Sequence, residues 1–174
     1  MTRLANKTIL ITGGASGLGR SLAQQMAKRG GRIVIWDLNG ERAEKTAEEL
    51  REEGAAALAY RCDVSDKEDV YRVAADVKRD VGEVDVLVNN AGFGSAPDER
   101  WLSEDGHEFR FQVNYLAPFL LTNLLKERLI ASAPSRIVNV SSIAQTPIDW
   151  DDVMIERDFS GGRAYGQSLS LIHI

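Results

Sequence analysis

The sequence predicts an α/β domain in which a parallel sheet is covered by helices on both faces. Short apolar runs rich in Ile and Val recur along the chain, and stretches with helical periodicity and recognisable ends lie between them. The first run leads directly into a glycine-rich turn, and helical sequence follows it. Strands buried on both faces lose the polar–apolar alternation of a half-exposed sheet, and strands that alternate with helices assemble as βαβ units with right-handed crossovers.

Taken in order, the first strand is TILIT, residues 8–12, and the turn TGGASGLG begins at Thr12. The second strand, RIVIWD at 32–37, precedes a helix that Asn39 caps and Gly54 closes, with Glu41, Glu44, Glu48, Glu49, Glu52 and Glu53 on its exposed face. The third strand, AALAYRCD at 56–63, precedes a helix for which Ser65 is the expected N-cap. The fourth is VDVLVNN at 84–90. A long helical stretch from about 103 to 132 contains Gly106 and Pro118, and a kink or break is expected near the proline. RIVNVSS at 136–142 is the fifth strand. After it comes a polar and aromatic connection, SIAQTPIDWDDVMIERDFSGGRA, of a length that in compact domains belongs to functional or mobile loops.

At 174 residues, with 44% hydrophobic and 27% charged residues, the chain has the size and balance of one soluble globular domain. No run approaches the roughly 20 apolar residues of a membrane span. Lys7 interrupts the stretch where a secretory signal would stand, so a cytoplasmic protein is expected. With a single cysteine, Cys62, expected to be buried, and only two histidines, neither a disulfide nor a metal site is expected. A net charge of −5 argues against nucleic acid as a partner.

The glycine turn carries chemistry. In TGxxxGxG, Thr12, Gly13, Gly17 and Gly19 permit a sharp turn and let backbone N–H groups approach a pyrophosphate at a helix N-terminus. The residues expected to face the cofactor are Thr12, Gly13, Ser16, Gly17, Leu18 and Gly19. The second strand ends on Asp37, close to the roughly 20-residue spacing at which an acid hydrogen-bonds a ribose 2′-hydroxyl. A carboxylate there repels a 2′-phosphate, and Gly14, Ala15 and Ser16 offer no compensating cation, so NAD is favoured over NADP.

TGxxxGxG, CDV at 62–64, NNAG at 89–92, Asn114 in VNYLAPF, VNVSS at 138–142 and Tyr165 follow one another at compatible spacing. Together they resemble the short-chain dehydrogenase/reductase family, from Lys7 to Ser168. The resemblance implies a Rossmann-type doubly wound sheet, with five strands present in the order 3-2-1-4-5, and an exchange of hydride between a nicotinamide cofactor and an alcohol or carbonyl compound. It implies that Asp63, with Val64 beside it, contacts adenine, and that Asn90, Ala91 and Gly92 lie along the cofactor while the NNAG turn, with Asn89, steadies the fourth strand. It assigns Asn114, Ser142 and Tyr165 to catalysis, Tyr165 also lying against the cofactor; Ser141 competes with Ser142, although the second serine aligns better. A phenol, with its ordinary pKa near 10, needs a nearby cation to act as a base at neutral pH; in the family a lysine four residues on supplies it.

Two departures stand out. The interval between Ser142 and Tyr165 is longer than the family's common one and resembles the retinol-dehydrogenase-like and WW-domain-oxidoreductase-like branch, which suggests a lipophilic substrate; Trp150, Met154 and Phe159 either line its entrance or anchor the loop. At the lysine position stands Leu169. LSLIHI is one reading frame of a common transposase sequencing adapter, CTGTCTCTTATACACATC. The expectation is therefore a cofactor-binding domain at 1–168, a non-native tail at 169–174, and an inactive fragment of a parent enzyme that by resemblance is a homo-oligomer. A nucleotide-binding regulatory module without catalysis and a nucleotide-sugar epimerase are the alternatives. The epimerase's usual TGxxGxxG spacing is not what Gly13, Gly17 and Gly19 form.

Overall fold

The computed structural model describes residues 4–173; residues 1–3 of the expected domain and Ile174 of the expected tail lie outside the described residues. Five parallel strands, β1 (Thr8–Thr12), β2 (Arg32–Asp37), β3 (Ala57–Arg61), β4 (Val86–Asn89) and β5 (Arg136–Asn139), form one sheet in the order β3-β2-β1-β4-β5. This is the parallel sheet that the alternating pattern predicts, in the doubly wound order that the resemblance implies. Between the strands run α1 (Gly17–Ala27), α2 (Gly40–Glu52) and α3 (Lys67–Asp80). A short turn α4 (Phe109–Phe111), a π-helical turn (Gln112–Leu116) and α5 (Ala117–Ala131) follow β4, and α6 (Gly161–Leu171) follows β5.

Because side chains alternate along a strand, the apolar runs divide between two cores. Ile9, Ile11, Ile33 and Ile35 face one side, where Ala23 of α1 and Ala43, Ala47 and Leu50 of α2 cover them. Leu10, Val34, Trp36 and Leu87 face the other, beneath Val70, Val73 and Val77 of α3 and Leu121, Leu125 and Leu129 of α5. Small residues on α1 and α2 bring those helices close to the sheet, while the three- and four-residue spacing on α3 and α5 makes one continuous stripe. Polar clips fix both ends of the β1–β4 pair. At the start, the Asp85 carboxylate accepts from Lys7 Nζ (2.6 Å) and from the Thr8 amide (2.8 Å). At the finish, the Thr12 hydroxyl oxygen takes the equivalent part toward the residues that follow β4.

Local signals hold with two corrections. Asn39 caps α2 through the Arg42 amide (2.9 Å), and Gly54 closes it with φ +88°. The expected cap Ser65 is not the cap of α3: Asp66 is, its carboxylate accepting from the Glu68 and Asp69 amides. The carboxylate meets the orphan amides from one residue further on, while Ser65 is drawn back to Asp63. The helix expected from about 103 begins only at Phe109. Residues 103–108 instead form a turn, closed by the pairing of Leu102 with Glu108 and by Gly106 at φ +80°. The irregularity expected near Pro118 is the π-helical turn just before it, which runs directly into α5 with Pro118 as its second residue. β5 forms one edge of the sheet and is exposed along its length.

Candidate active site

β1 and β4 end side by side, and the glycine loop and the NNAG turn leave them together. Thr12 Oγ accepts the amides of both Asn90 and Ala91 (3.0 Å each). Asn90 replies through Nδ2, donating to the Thr12 carbonyl (2.9 Å) and the Gly13 carbonyl (3.2 Å). Gly19 lies beneath this knot: a Cβ there would collide with the Gly13 carbonyl and come within 2.6 Å of Asn90 Nδ2. Gly17 needs its lack of a side chain for another reason. Its φ is +51°, and nothing lies within 4 Å of where a Cβ would stand, so the loop is open on that side. Ser16, at the N-cap of α1, makes no side-chain capping bond, and Leu18 is exposed beside it. The amides at the start of this eleven-residue helix carry no side-chain cap, the polarity at which an anion is favoured.

To one side of the NNAG turn lies a cleft of about 210 Å³, walled by Asp37, Cys62, Asp63 and Val64 among others. Asp37 Oδ2 accepts the Ala15 amide (3.0 Å) and Oδ1 the Asn39 amide (3.0 Å), which fixes the carboxylate at the strand end. Asp63 is held from both directions: its carboxylate accepts from the Ser65 amide and hydroxyl (2.9 and 2.6 Å), and its own amide donates to the Asp69 carboxylate (2.7 Å). Burial by itself would raise the Asp69 carboxyl, but the Asp63 amide and the Arg72 guanidinium outweigh it and hold the group below the usual carboxylate value. Burial also pushes the Cys62 thiol up to about 12, so at neutral pH it is an uncharged, apolar part of the wall.

On the other side lies a cavity of about 300 Å³ that includes Asn114, Ser141, Tyr165 and Leu169 in its wall. Ala91, Gly92 and Phe93 wall both spaces, so the two adjoin along the NNAG turn, an elongated arrangement at the C-terminal ends of the strands. Asn114, in the π-helical turn, accepts the Phe93 amide through Oδ1 (2.8 Å) and donates through Nδ2 to the Phe93 carbonyl (3.0 Å) and Ser168 Oγ (2.9 Å). Asn114 and Tyr165 thus share one cavity. Ser142 is turned aside: its Oγ accepts the Ala144 amide (3.1 Å) and its carbonyl accepts from Gln145 Nε2 (3.0 Å), while Ser141 takes the place on the wall.

The model of the family described as short chain dehydrogenase matches residues 7–148. The chain belongs to this family. Human "Retinol dehydrogenase 13" is 39% identical over 170 residues, covering 95% of this chain and 51% of that protein. A metagenomic short-chain oxidoreductase in complex with NADP superposes with a TM-score of 0.81 at 26% identity, covering 99% of this chain and 74% of the other. An oxidoreductase from Haemophilus influenza with bound NAD superposes with a TM-score of 0.76 at 28% identity, covering 98% and 63%. The chain spans about half the length of the curated relatives it matches.

In this member of the family the long connection after β5 is pinned to α6. Gln167, 2% exposed, accepts the Asp149 amide (2.8 Å) and donates to the carbonyls of Asp152 (3.3 Å) and Val153 (3.0 Å). Ser170 Oγ bonds the amide and the carbonyl of Thr146 (3.1 and 2.7 Å). Phe159 anchors the loop, its ring facing the Arg110 guanidinium, whereas Trp150 is 66% exposed and absent from the cavity wall, as Met154 is. Leu169 and Leu171 continue α6 as buried residues across the expected boundary after Ser168. A glutamine two residues from Tyr165 and an arginine between two phenylalanines carry no sequence signal of such roles, since both depend on partners that are not their chain neighbours. Among the described residues, no cluster of His, Cys, Asp or Glu suits a metal ion, and no helix is long and apolar enough to cross a membrane.

Proposed function

We propose that the elongated site binds NAD, with adenosine toward Asp37 and Asp63 and nicotinamide toward Asn114 and Tyr165, and that its chemistry is the interconversion of an alcohol and a carbonyl compound. The observation that carries this reading is the pair of clefts that share the NNAG turn as a wall, together with the knot of hydrogen bonds that ties this turn to the glycine loop and its uncapped helix start. When bound, the nicotinamide supplies or accepts the hydride. Asp37 accepts hydrogen bonds from the ribose hydroxyls and repels a 2′-phosphate. Tyr165 exchanges the proton with the substrate oxygen, and a serine hydroxyl steadies that oxygen: Ser142 by its place in the family motif, or Ser141 by its place on the wall. Asn114 holds the Phe93 peptide and so shapes the space in which substrate and proton path meet. A lipophilic alcohol or carbonyl of retinol type is the substrate class the names of its relatives suggest, and Phe93 and Pro118 give the cavity an apolar part against which it would lie.

A nucleotide-binding role without turnover is favoured by one observation: the residue one helical turn beyond Tyr165 is Leu169, which supplies no cation. The 174-residue chain is therefore expected to hold cofactor without oxidising alcohols; robust NAD-dependent oxidation by it would overturn that. Calorimetric titration tests the cofactor assignment. NAD is expected to bind at least tenfold more tightly than NADP, and Asp37→Arg to reverse the order. A wild-type preference for NADP would refute the role given to Asp37.

A further inference from the structure

Arg110 has no solvent exposure, although it carries a permanent charge. Its Nε donates to the Gly94 carbonyl (2.9 Å) and its Nη2 to the carbonyls of Ser95 (3.0 Å) and Pro97. Its Nη1 reaches the Glu99 carbonyl (3.4 Å) and the Glu108 carboxylate (3.1 Å). The guanidinium also faces the rings of Phe93 (5.3 Å) and Phe159 (5.7 Å), which excludes water from it. One side chain therefore satisfies four carbonyls of an irregular segment that has no strand or helix to satisfy them. Burying a guanidinium is costly unless its donors are paired, and removing one partner of such a pair leaves the other uncompensated.

Both ends of the clamped segment reach the candidate active site. At one end the Phe93 peptide is bonded in both directions to the Asn114 side chain. At the other, the Asp98 carboxylate accepts the amide of Gly161, the first residue of α6. Gly161 packs so tightly that a Cβ would collide with the Ser95 carbonyl, itself an Arg110 acceptor. α6 then carries Tyr165 into the cavity opposite Asn114. We infer that Arg110 is a positioning residue for the nicotinamide end of the site: it holds residues 93–99 as a rigid spacer that sets the distance between the Asn114 wall and the Tyr165 wall. The inference rests on the nucleotide-binding reading above. Asp37, at the end of β2, and Asp63, just beyond β3, make no hydrogen bond to this spacer, and of its residues only Phe93 lines the adenosine cleft, so adenosine binding depends on it far less than the nicotinamide end does.

The test compares NAD with AMP, which occupies the adenosine end alone, in the wild-type chain, in Arg110→Lys, and in Arg110→Met combined with Glu108→Gln so that no carboxylate is left unpaired. Amide hydrogen exchange is followed in the same proteins. In the double variant AMP should bind within about twofold of wild type while NAD binds at least tenfold more weakly. The Phe93 and Gly161 amides should lose protection while those of Ile9 to Ile11 keep it. Arg110→Lys, which keeps the charge and part of the donor set, should recover some NAD affinity, and it carries the test should the double variant fail to fold. Equal weakening of AMP and NAD, or NAD affinity and exchange both unchanged, would overturn the inference. Wild-type protein that binds AMP but gains nothing from the nicotinamide half would overturn the nucleotide reading instead, and the exchange of Phe93 and Gly161 would still decide whether Arg110 holds the spacer.

Discussion

Single side chains in this site are held from behind before they face a ligand. Asp63 shows it most plainly: the Asp69 carboxylate takes the Asp63 amide, and the Arg72 guanidinium holds Asp69 in turn. Because the folded Asp69 carboxyl titrates below its unfolded value of about 3.9, this contact contributes its full stability above that pH. The contribution is lost as pH falls through the folded value. Asp69→Asn is therefore expected to be roughly 2 kcal/mol less stable than wild type at pH 6, the usual worth of a hydrogen bond to a charged group. The difference should shrink steadily as pH falls below the unfolded carboxyl value and through the lower folded one. Urea unfolding of both proteins across that range measures it, and a difference independent of pH would show that the charge is not what Asp69 contributes.

At the scale of elements, the decisive contact is the junction where β1, α1 and β4 meet. A glycine inside a helix ordinarily gains about 1 kcal/mol when replaced by alanine. Gly19, within α1, should do the opposite, because the new Cβ meets the Gly13 carbonyl, and backbone atoms cannot swing aside as a flexible side chain would. Gly19→Ala is expected to lose about 1–3 kcal/mol and to abolish nucleotide binding. Gly17→Ala meets open space and is expected to lose only the roughly 1–2 kcal/mol of a left-handed backbone. Thermal unfolding with and without NAD distinguishes the two. A stabilised Gly19→Ala would mean that the Thr12–Asn90 knot is looser than its hydrogen bonds indicate.

Across the whole molecule, the two apolar cores fix the sheet, and the sheet carries the site along its C-terminal edge. The cofactor half rests on strands buried on both faces, whereas the Tyr165 half is assembled from α6, the long loop and the spacer held by Arg110. Leu169 closes the cavity on that second half. Leu169→Lys would place a cation one helical turn from Tyr165, and general acid–base catalysis contributes about 10²–10⁴-fold in rate. NAD-dependent oxidation of a lipophilic primary alcohol is therefore expected to rise from undetectable to measurable, read as NADH absorbance. No gain, with NAD still bound, would assign the lack of turnover to something other than the missing charge.

The sequence by itself determined the alternation of strands and helices, the glycine loop and the acid at the end of the second strand. Each of these is written in neighbouring residues: a period of two or of 3.6, a φ only glycine accepts freely, or a cap one to three residues from its helix. It was less decisive where backbone geometry chooses between adjacent candidates, as with Asp66 over Ser65 at the start of α3 and the late start of the helix after Gly106. Only the tertiary structure decided that Asn114 and Tyr165 share a cavity, that Ser141 rather than Ser142 lies on its wall, and that Gln167 pins the long loop to α6. The same is true of the Arg110 clamp, because its partners come from residues 93–99, from Glu108 and from Phe159, and a buried cation is legible only once the carbonyls and rings around it have been brought together.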